Sequence, residues 1–250
     1  MANEYWLTDE AWAKIEPSIP MGRRGVKPAN NRRVISGILH VLKYGCRWRD
    51  CPAVYGPHTT IYNRFNRWSK AGIWQEMFLR IRALDKVEAF SIDSTTSKAH
   101  RCSAGGKGGL KEQAIGRSRG GRTTKIHAVT DAVGRLIDFD LSVGQASDIK
   151  FAIPLLSRLP APDHQLADTA YDGDAFRAFL IGRETVPVIR PNPTRKRVPP
   201  FDEARYKQRN VIERCFSHLK DWRRVATRYD KLARNFAASV ALAAILIWWT

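Results

Sequence analysis

Cysteine is scarce in this 250-residue chain, and the four that occur do not group. Cys46, Cys51, Cys102 and Cys215 contain no Cys-x-x-Cys pair. Cys46 and Cys51 with His58 make only a partial zinc set, without a fourth ligand or the usual spacing. Nothing implies disulfides, so a reducing, cytoplasmic setting is expected. Acidic residues are also in short supply: 24 Asp+Glu stand against 42 Lys+Arg, a net charge of +18. The surplus is not a tail. Residues 1–80 hold 13 basic and 6 acidic groups, and the remainder hold 29 and 18. Both halves are therefore suited to a polyanion, which points to nucleic acid. Long hydrophobic runs are missing. The apolar stretch Phe236 to Trp249 is 14 residues long, too short to span a bilayer easily and suited to a buried helix. The first residues, "MANEYWLTDE", lack the basic start and apolar run of a signal peptide.

What is present divides into an all-α part and an α/β part. Over 1–84, Thr8 is placed to cap a helix running to about Glu16. Asn30 or Asn31 caps a second helix, with an inward stripe of Val34, Ile35, Ile38, Leu39 and Leu42 that Gly45 stops. Thr59 or Thr60 opens a third, "TIYNRFNRW". Its Ile61, Phe65 and Trp68 face inward, leaving Asn63, Arg64, Asn66 and Arg67 outward. A fourth carries Ile73, Trp74, Met77, Phe78, Ile81 and Leu84. Short helix, turn, short helix with outward Asn and Arg resembles a helix-turn-helix unit, because these side chains match adenine and guanine edges. An ordinary three-helix module with a solvated face fits the same pattern.

Over 85–250 the order is strand, hairpin, helix, strand, helix, strand, helix, an α/β layout with a mixed sheet between helices. Val87 to Ile92 reads as a short strand ending at Asp93. Residues 101–125, with seven glycines, seven Lys or Arg and one acid, read as a flexible basic loop. They contain no phosphate-binding GxxxxGK[ST] motif. A hairpin turns at Gly134. A helix follows from about Asp148 to Leu159, then a strand ending at Asp168, with Asp172 and Asp174 just beyond.

The stretch "YKQRNVIERCFSHLK", Tyr206 to Lys220, organises the rest. On one helix, Tyr206, Arg209, Glu213 and Lys220 share an arc of about 60°, opposite Ile212, Cys215, Phe216, Leu219 and Trp222. A carboxylate flanked by cations and a phenol suits a metal beside phosphate; a solvated charged face is the plainer reading. Asp93, Asp168 and Glu213 could converge if the strands are neighbours. Three bare carboxylates would repel one another, and divalent metal ions remove that conflict. Two such ions can serve phosphodiester chemistry. Asp172 is the other candidate for the second acid, and the strand-end Asp168 is preferred.

At these residues the chain closely resembles the Asp-Asp-Glu transposases of bacterial insertion sequences. "SIDSTT", "LADTAYD" and a complete Tyr-x2-Arg-x3-Glu-x6-Lys pattern carry the likeness. "GILHVLKYGCRWRDCP", "GRSRGGRTTKIHAVTDAVGR" and "RRVATRYDKLARNF" are similar to the insertion-sequence-five family. The resemblance implies a ribonuclease-H-like catalytic domain over 85–250 behind a helical DNA-binding domain over 1–84. It implies Asp93, Asp168 and Glu213 as catalytic metal ligands for Mg²⁺, with Mn²⁺ as a substitute and two ions in the site. Tyr206, Arg209 and Lys220 would contact transposon-end DNA, alongside Asn63, Arg64 and Arg67 of the helical module. The implied activity is binding of terminal inverted repeats, cleavage and strand transfer into target DNA, by a homodimer without membrane contact. A non-catalytic repressor derived from such an enzyme, or a ribonuclease-H-type nuclease, are the alternative readings.

Overall fold

The computed structural model describes residues 4–20, 30–82, 87–118 and 120–250. The connector "MGRRGVKP" and Leu84 fall wholly or mostly outside them. In chain order the helices are α1 (Asp9–Ile15), α2 (Asn31–Tyr44), α3 (His58–Lys70), α4 (Ile73–Ile81), α5 (Gly109–Glu112), α6 (Ile149–Leu156), α7 (Asp174–Ile181), α8 (Glu203–Tyr206), α9 (Asn210–Lys220), α10 (Arg223–Ala226) and α11 (Ala233–Ala244). The strands used below are β1 (Ala89–Ala99), β2 (Gly116–Ser118), β3 (Gly121–Thr130), β4 (Leu136–Val143), β5 (His164–Ala167) and β6 (Val186–Ile189). Two compact units result. The first comprises Met1–Ala83, Ala99–Gly109 and Leu219–Thr250; the second comprises Leu84–Lys98 and Leu110–His218. The units therefore interleave along the chain rather than dividing once near residue 84.

The helical unit forms much as its pattern dictates. Thr8 accepts from Ala11 N–H at 3.1 Å and Asn30 accepts from Arg33 N–H at 3.0 Å, each satisfying a donor that a helix start leaves orphaned. Gly45 ends α2 with φ 77°, a left-handed turn that costs glycine little. Val34, Ile35, Ile38, Leu39 and Leu42 are all buried. α3 begins one or two residues earlier than Thr59 or Thr60 would set it. Its cap position is Pro57 and no side chain caps it. Trp74 is fully buried and donates to the Phe65 carbonyl at 3.1 Å, tying α4 to α3. The apolar stretch forms α11 and a π-turn, Ile245–Trp249, and α11 packs on α2, α3 and α4. The basic text before it is not all surface: Arg224 and Arg228 are buried. Arg224 donates to the Cys46 carbonyl and Arg228 to the Asp230 carbonyl, which replaces the water these guanidiniums lose.

The second unit is built on a mixed sheet. β1 pairs antiparallel with β3 along Ser91–Lys98, and parallel with β5 along Ala89–Ile92. β6 extends the sheet parallel to β5. On its other edge β3 pairs antiparallel with β4 and, at its start, with β2. β1 is longer than expected: Asp93 lies inside it, not at its end. The Ser-Thr-Thr-Ser text after Asp93 reads as turn chemistry. Its β-branched threonines also favour a strand, and a full ladder to β3 decides in favour of the strand. The glycine-rich segment 101–125 is likewise not one loop. It holds a 3-10 turn at Arg101–Ser103, α5, and the β2–β3 hairpin. Phe90, Ile92, Ile126, Leu166 and Ile189 form part of its core.

Candidate functional site

The parallel pairing of β1, β5 and β6 stops in register, and the residue that follows it on each strand is charged. Ile92 pairs with Ala167, and Ala167 with Ile189. The next residues are Asp93, Asp168 and Arg190. Strands in a sheet lie about 4.8 Å apart, so these three groups form a row, inside β1 at Asp93 and at the carboxyl ends of β5 and β6. Such ends are where α/β sheets hold ligands. Arg190 was not singled out by its sequence; the signal available was a cation directly after the strand "VPVI".

Each group in the row is held differently. Asp93 accepts from the Ser94 N–H at 2.7 Å and from Arg209 at 2.8 Å. Burial pushes its carboxyl above the ordinary range, further raised by Asp168; the Ser94 N–H and Arg209 offset only part of this. Asp168 accepts from the Ala170 N–H at 2.9 Å, capping the 3-10 turn Thr169–Tyr171. Tyr171 is fully buried, and its hydroxyl has no hydrogen-bond partner. Burial raises its pKa, and the nearby carboxylates of Asp148, Asp93 and Asp168 raise it further. This phenol beside the acids is a second feature that the sequence reading missed; the aromatic in "DTAYD" was the available signal.

Asp172 is a different kind of acid. Its side chain is fully buried and accepts from Arg177 at 2.7 Å, Arg195 at 2.6 Å and the Asn192 N–H at 2.7 Å. Burial alone would raise its pKa, but these donors outweigh it and hold the carboxyl below the usual range. Asp172 is thus committed to joining α7 to the segment after β6, while Asp168 keeps its place in the row.

The stretch Tyr206 to Lys220 is not one α-helix. α8 ends at Tyr206, a 3-10 turn spans Lys207–Arg209, and α9 begins at Asn210. The backbone stays right-handed through the turn, so Arg209 and Glu213 still meet across one turn, at 2.7 Å. The Arg209 guanidinium therefore joins Asp93 to Glu213. Glu213 is 61% exposed against 20% for Asp93. α9 is backed by the β3–β4 turn. A Cβ on Gly134, at φ 91°, would lie 3.0 Å from the Val211 carbonyl. Tyr206 is only half exposed and packs on Ala89, Leu166 and Val188. The guanidiniums of Arg190 and Arg209 lie 5.4 and 5.7 Å from its ring centre. Lys220 is exposed at the end of α9, and partial burial lowers its pKa. Cys215 is a buried side chain on the opposite face.

A divalent ion fits this donor set chemically, since carboxylate oxygens are hard ligands. Among the described residues no three His, Cys, Asp or Glu side chains are grouped closely enough to hold one. The expected convergence of three acids is instead two acids joined by Arg209, with Asp168 beside Asp93 in the sheet. In the helical unit, Asn63 and Arg67 are exposed on α3. Arg64 is not simply outward. It donates to the Asn31 side chain, lies 4.8 Å from the Trp68 ring, and burial lowers its pKa. Asn66 accepts from Asn235.

Comparison with known proteins agrees with this layout. Residues 86–248 match the family model "Transposase DDE domain", and residues 7–78 match "Putative transposase of IS4/5 family". The chain is 42% identical over 127 residues to a Brucella ovis protein described as "Putative transposase for insertion sequence element IS6501", covering 50% of this chain and 98% of that one. It is 36% identical over 107 residues to the Burkholderia cepacia "Insertion element IS402 uncharacterized 16.2 kDa protein", covering 37% and 73%. A solved structure of the piggyBac transposase synaptic complex with hairpin DNA matches 97% of this chain and 73% of that chain, with a TM-score of 0.53 at 10% identity. That likeness is one of fold: a ribonuclease-H-like mixed sheet with a helical region before it.

Proposed function

Because the chain belongs to the DDE-domain transposases of insertion sequences, we propose that it binds the terminal inverted repeats of its own element, cuts there, and joins the freed 3′ end to target DNA. DDE domains depend on divalent metal ions. In this chain Asp93, Asp168 and Glu213 would hold them, Mg²⁺ or Mn²⁺, two per site. Bound there, such ions activate the attacking oxygen and stabilise the leaving one. The observation that carries this assignment is the Arg209 bridge between Asp93 and Glu213, with Asp168 next in register to Asp93.

The chain's own groups do the remaining work. Arg209 holds the two carboxylates close to one another, and its planar fork can instead take two oxygens of a phosphate. Arg190 and Arg209 both lie against the Tyr206 ring, which helps to hold these cations beside the acids. Lys220 adds a point charge at the end of α9. Asn63, Arg64 and Arg67 on α3 contribute to reading the end sequence; Asn63 and Arg67 are the exposed pair. Two element ends must be brought together, which calls for a homodimer. Acting on genomic DNA of a bacterial element, it would work in the cytoplasm. No helix among the described residues is long and apolar enough to cross a membrane.

The test is a cleavage and joining assay with the full chain, Mg²⁺ or Mn²⁺, and labelled DNA carrying the element's ends. Metal-dependent cutting at the repeat boundary and joined product, both lost in Glu213→Gln, support the reading. End binding without cleavage under either metal favours a repressor. Cutting without joining favours a nuclease.

A further inference from the structure

We propose that Tyr171 is a positioning residue for Asp93: when Arg209 turns from Asp93 to a phosphate, the Tyr171 hydroxyl replaces it as hydrogen-bond donor to that carboxylate. The turn that carries Tyr171 is fixed at both ends. Asp168 opens it, one strand over from Asp93, and the Tyr171 N–H donates to the Asp168 carbonyl at 3.1 Å. Gly173 closes it against α6, where an added Cβ would lie 2.5 Å from the Ile149 side chain. Tyr171 is wholly buried in the α/β unit. Its hydroxyl therefore meets no substrate and can act only through a neighbouring side chain.

The hydroxyl is buried and has no hydrogen-bond partner. Phenylalanine would fill the same space without the desolvation cost of an unmet donor. The carboxylates near enough to act on the phenol are Asp148, Asp93 and Asp168. Two of them have donors with no other task. Asp148 accepts from Lys125 at 2.9 Å, and His127 lies 3.5 Å from it. Asp168 accepts from the Ala170 N–H of its own turn. Asp93 differs: the Ser94 N–H serves one oxygen, and the other depends on Arg209. Asp93 is only 20% exposed, so when Arg209 leaves, little water can replace it. A buried acceptor that loses its donor and a buried donor that lacks an acceptor then complement one another. A phenol O–H swings about its own C–O bond, so the exchange asks little of the ring. The exchange itself rests on no reading of function; only its use in cleavage rests on Asp93 serving the proposed strand chemistry.

The experiment is a double-mutant cycle of Tyr171→Phe and Arg209→Ala in the full chain, read by thermal melting at pH 8 without metal or DNA. In the wild-type background Tyr171→Phe should raise Tm by about 2–4 °C, because it removes an unmet hydroxyl. In the Arg209→Ala background it should lower Tm by a similar amount, because the hydroxyl now serves Asp93. Circular dichroism confirms that each variant is folded. The same sign in both backgrounds overturns the exchange. So does a loss of stability in the wild-type background, which would make the hydroxyl an ordinary structural group. A second readout needs no Arg209 variant: Tyr171→Phe should cut element ends about tenfold more slowly while binding them as tightly as the wild type. Unchanged cutting overturns the positioning role. The two readouts also separate the outcomes. A change of sign with no cutting by the wild-type chain sinks only the strand chemistry, and cutting by the wild type without a change of sign sinks only the role of Tyr171.

Discussion

Asp93 and Arg209 stand 116 positions apart in the chain and are joined by a 2.8 Å hydrogen bond inside the α/β unit. The same guanidinium reaches Glu213, so a single cation bridges two of the three acids proposed to bind metal. Arg209 and a divalent ion then compete for the same oxygens. Arg209→Gln is expected to tighten Mn²⁺ binding by about tenfold in the absence of DNA, roughly the worth of one charge-assisted hydrogen bond. Isothermal titration or Mn²⁺ resonance reads this directly. The same variant should bind element ends more weakly. Unchanged or weaker Mn²⁺ binding would show that the bridge does not oppose the metal.

The two neighbouring acids should separate cleanly on mutation. Asp168→Asn removes a proposed metal ligand that is only partly buried, so cleavage should vanish while thermal stability hardly moves. Asp172→Ala takes the carboxylate from the buried Arg177, while Arg195 keeps Asp174, and should cost roughly 3 kcal/mol of stability. Asp172 has its pKa depressed on folding, so its contribution is present above about pH 4 and is lost as pH falls through the folded value. The stability gap between wild type and Asp172→Ala, followed by denaturant melts, should therefore narrow in acid. A gap that widens there would contradict the ion-pair account.

His127 provides a second pH signature. It is fully buried on β3, stacks on Phe151 at 4.0 Å, and shares a 2.7 Å hydrogen bond with Ser142. Burial lowers its pKa to about 4; Asp148 pulls the other way, and Lys125 adds to the lowering. The unfolded chain takes up this proton first, near pH 6.5. Stability should thus fall by about 3 kcal/mol as pH drops from 6.5 to 4, and fall less in His127→Leu. Denaturant midpoints across that range check it.

Arg190 gives a prediction for DNA. If it grips backbone phosphate, Arg190→Ala should weaken binding to all sequences alike and reduce the salt slope by about 0.9. Filter binding at several salt concentrations measures both. A change confined to element-end sequence would instead make Arg190 a base reader.

Much of this molecule is legible in its sequence where one strong local rule acts. The α2 stripe, the Gly45 stop and the hairpin at Gly134 each follow from periodicity or from a backbone angle that only glycine takes easily. Asp168 at the end of β5 is legible for the same reason. What escapes needs partners distant in the chain. β1 runs past Asp93 because β3 supplies a ladder that no local text announces. Arg224 and Arg228 read as surface charge, yet carbonyls of their surroundings let them be buried. The 3-10 turn at Lys207–Arg209 hides behind a helical pattern it does not interrupt in direction. Asp172 reads as a rival catalytic acid until its two arginines are seen.

α11 has a consequence for how the protein comes off the ribosome. The helical unit needs this helix against α2, α3 and α4, yet it is translated after the whole of the α/β unit. The nascent N-terminal helices must wait, their apolar faces uncovered, while the sheet is already complete. A message broken or frameshifted after the sheet would yield a chain with its acids in place and its helical unit unfinished. Competence in that unit is thereby tied to translation of the late helix.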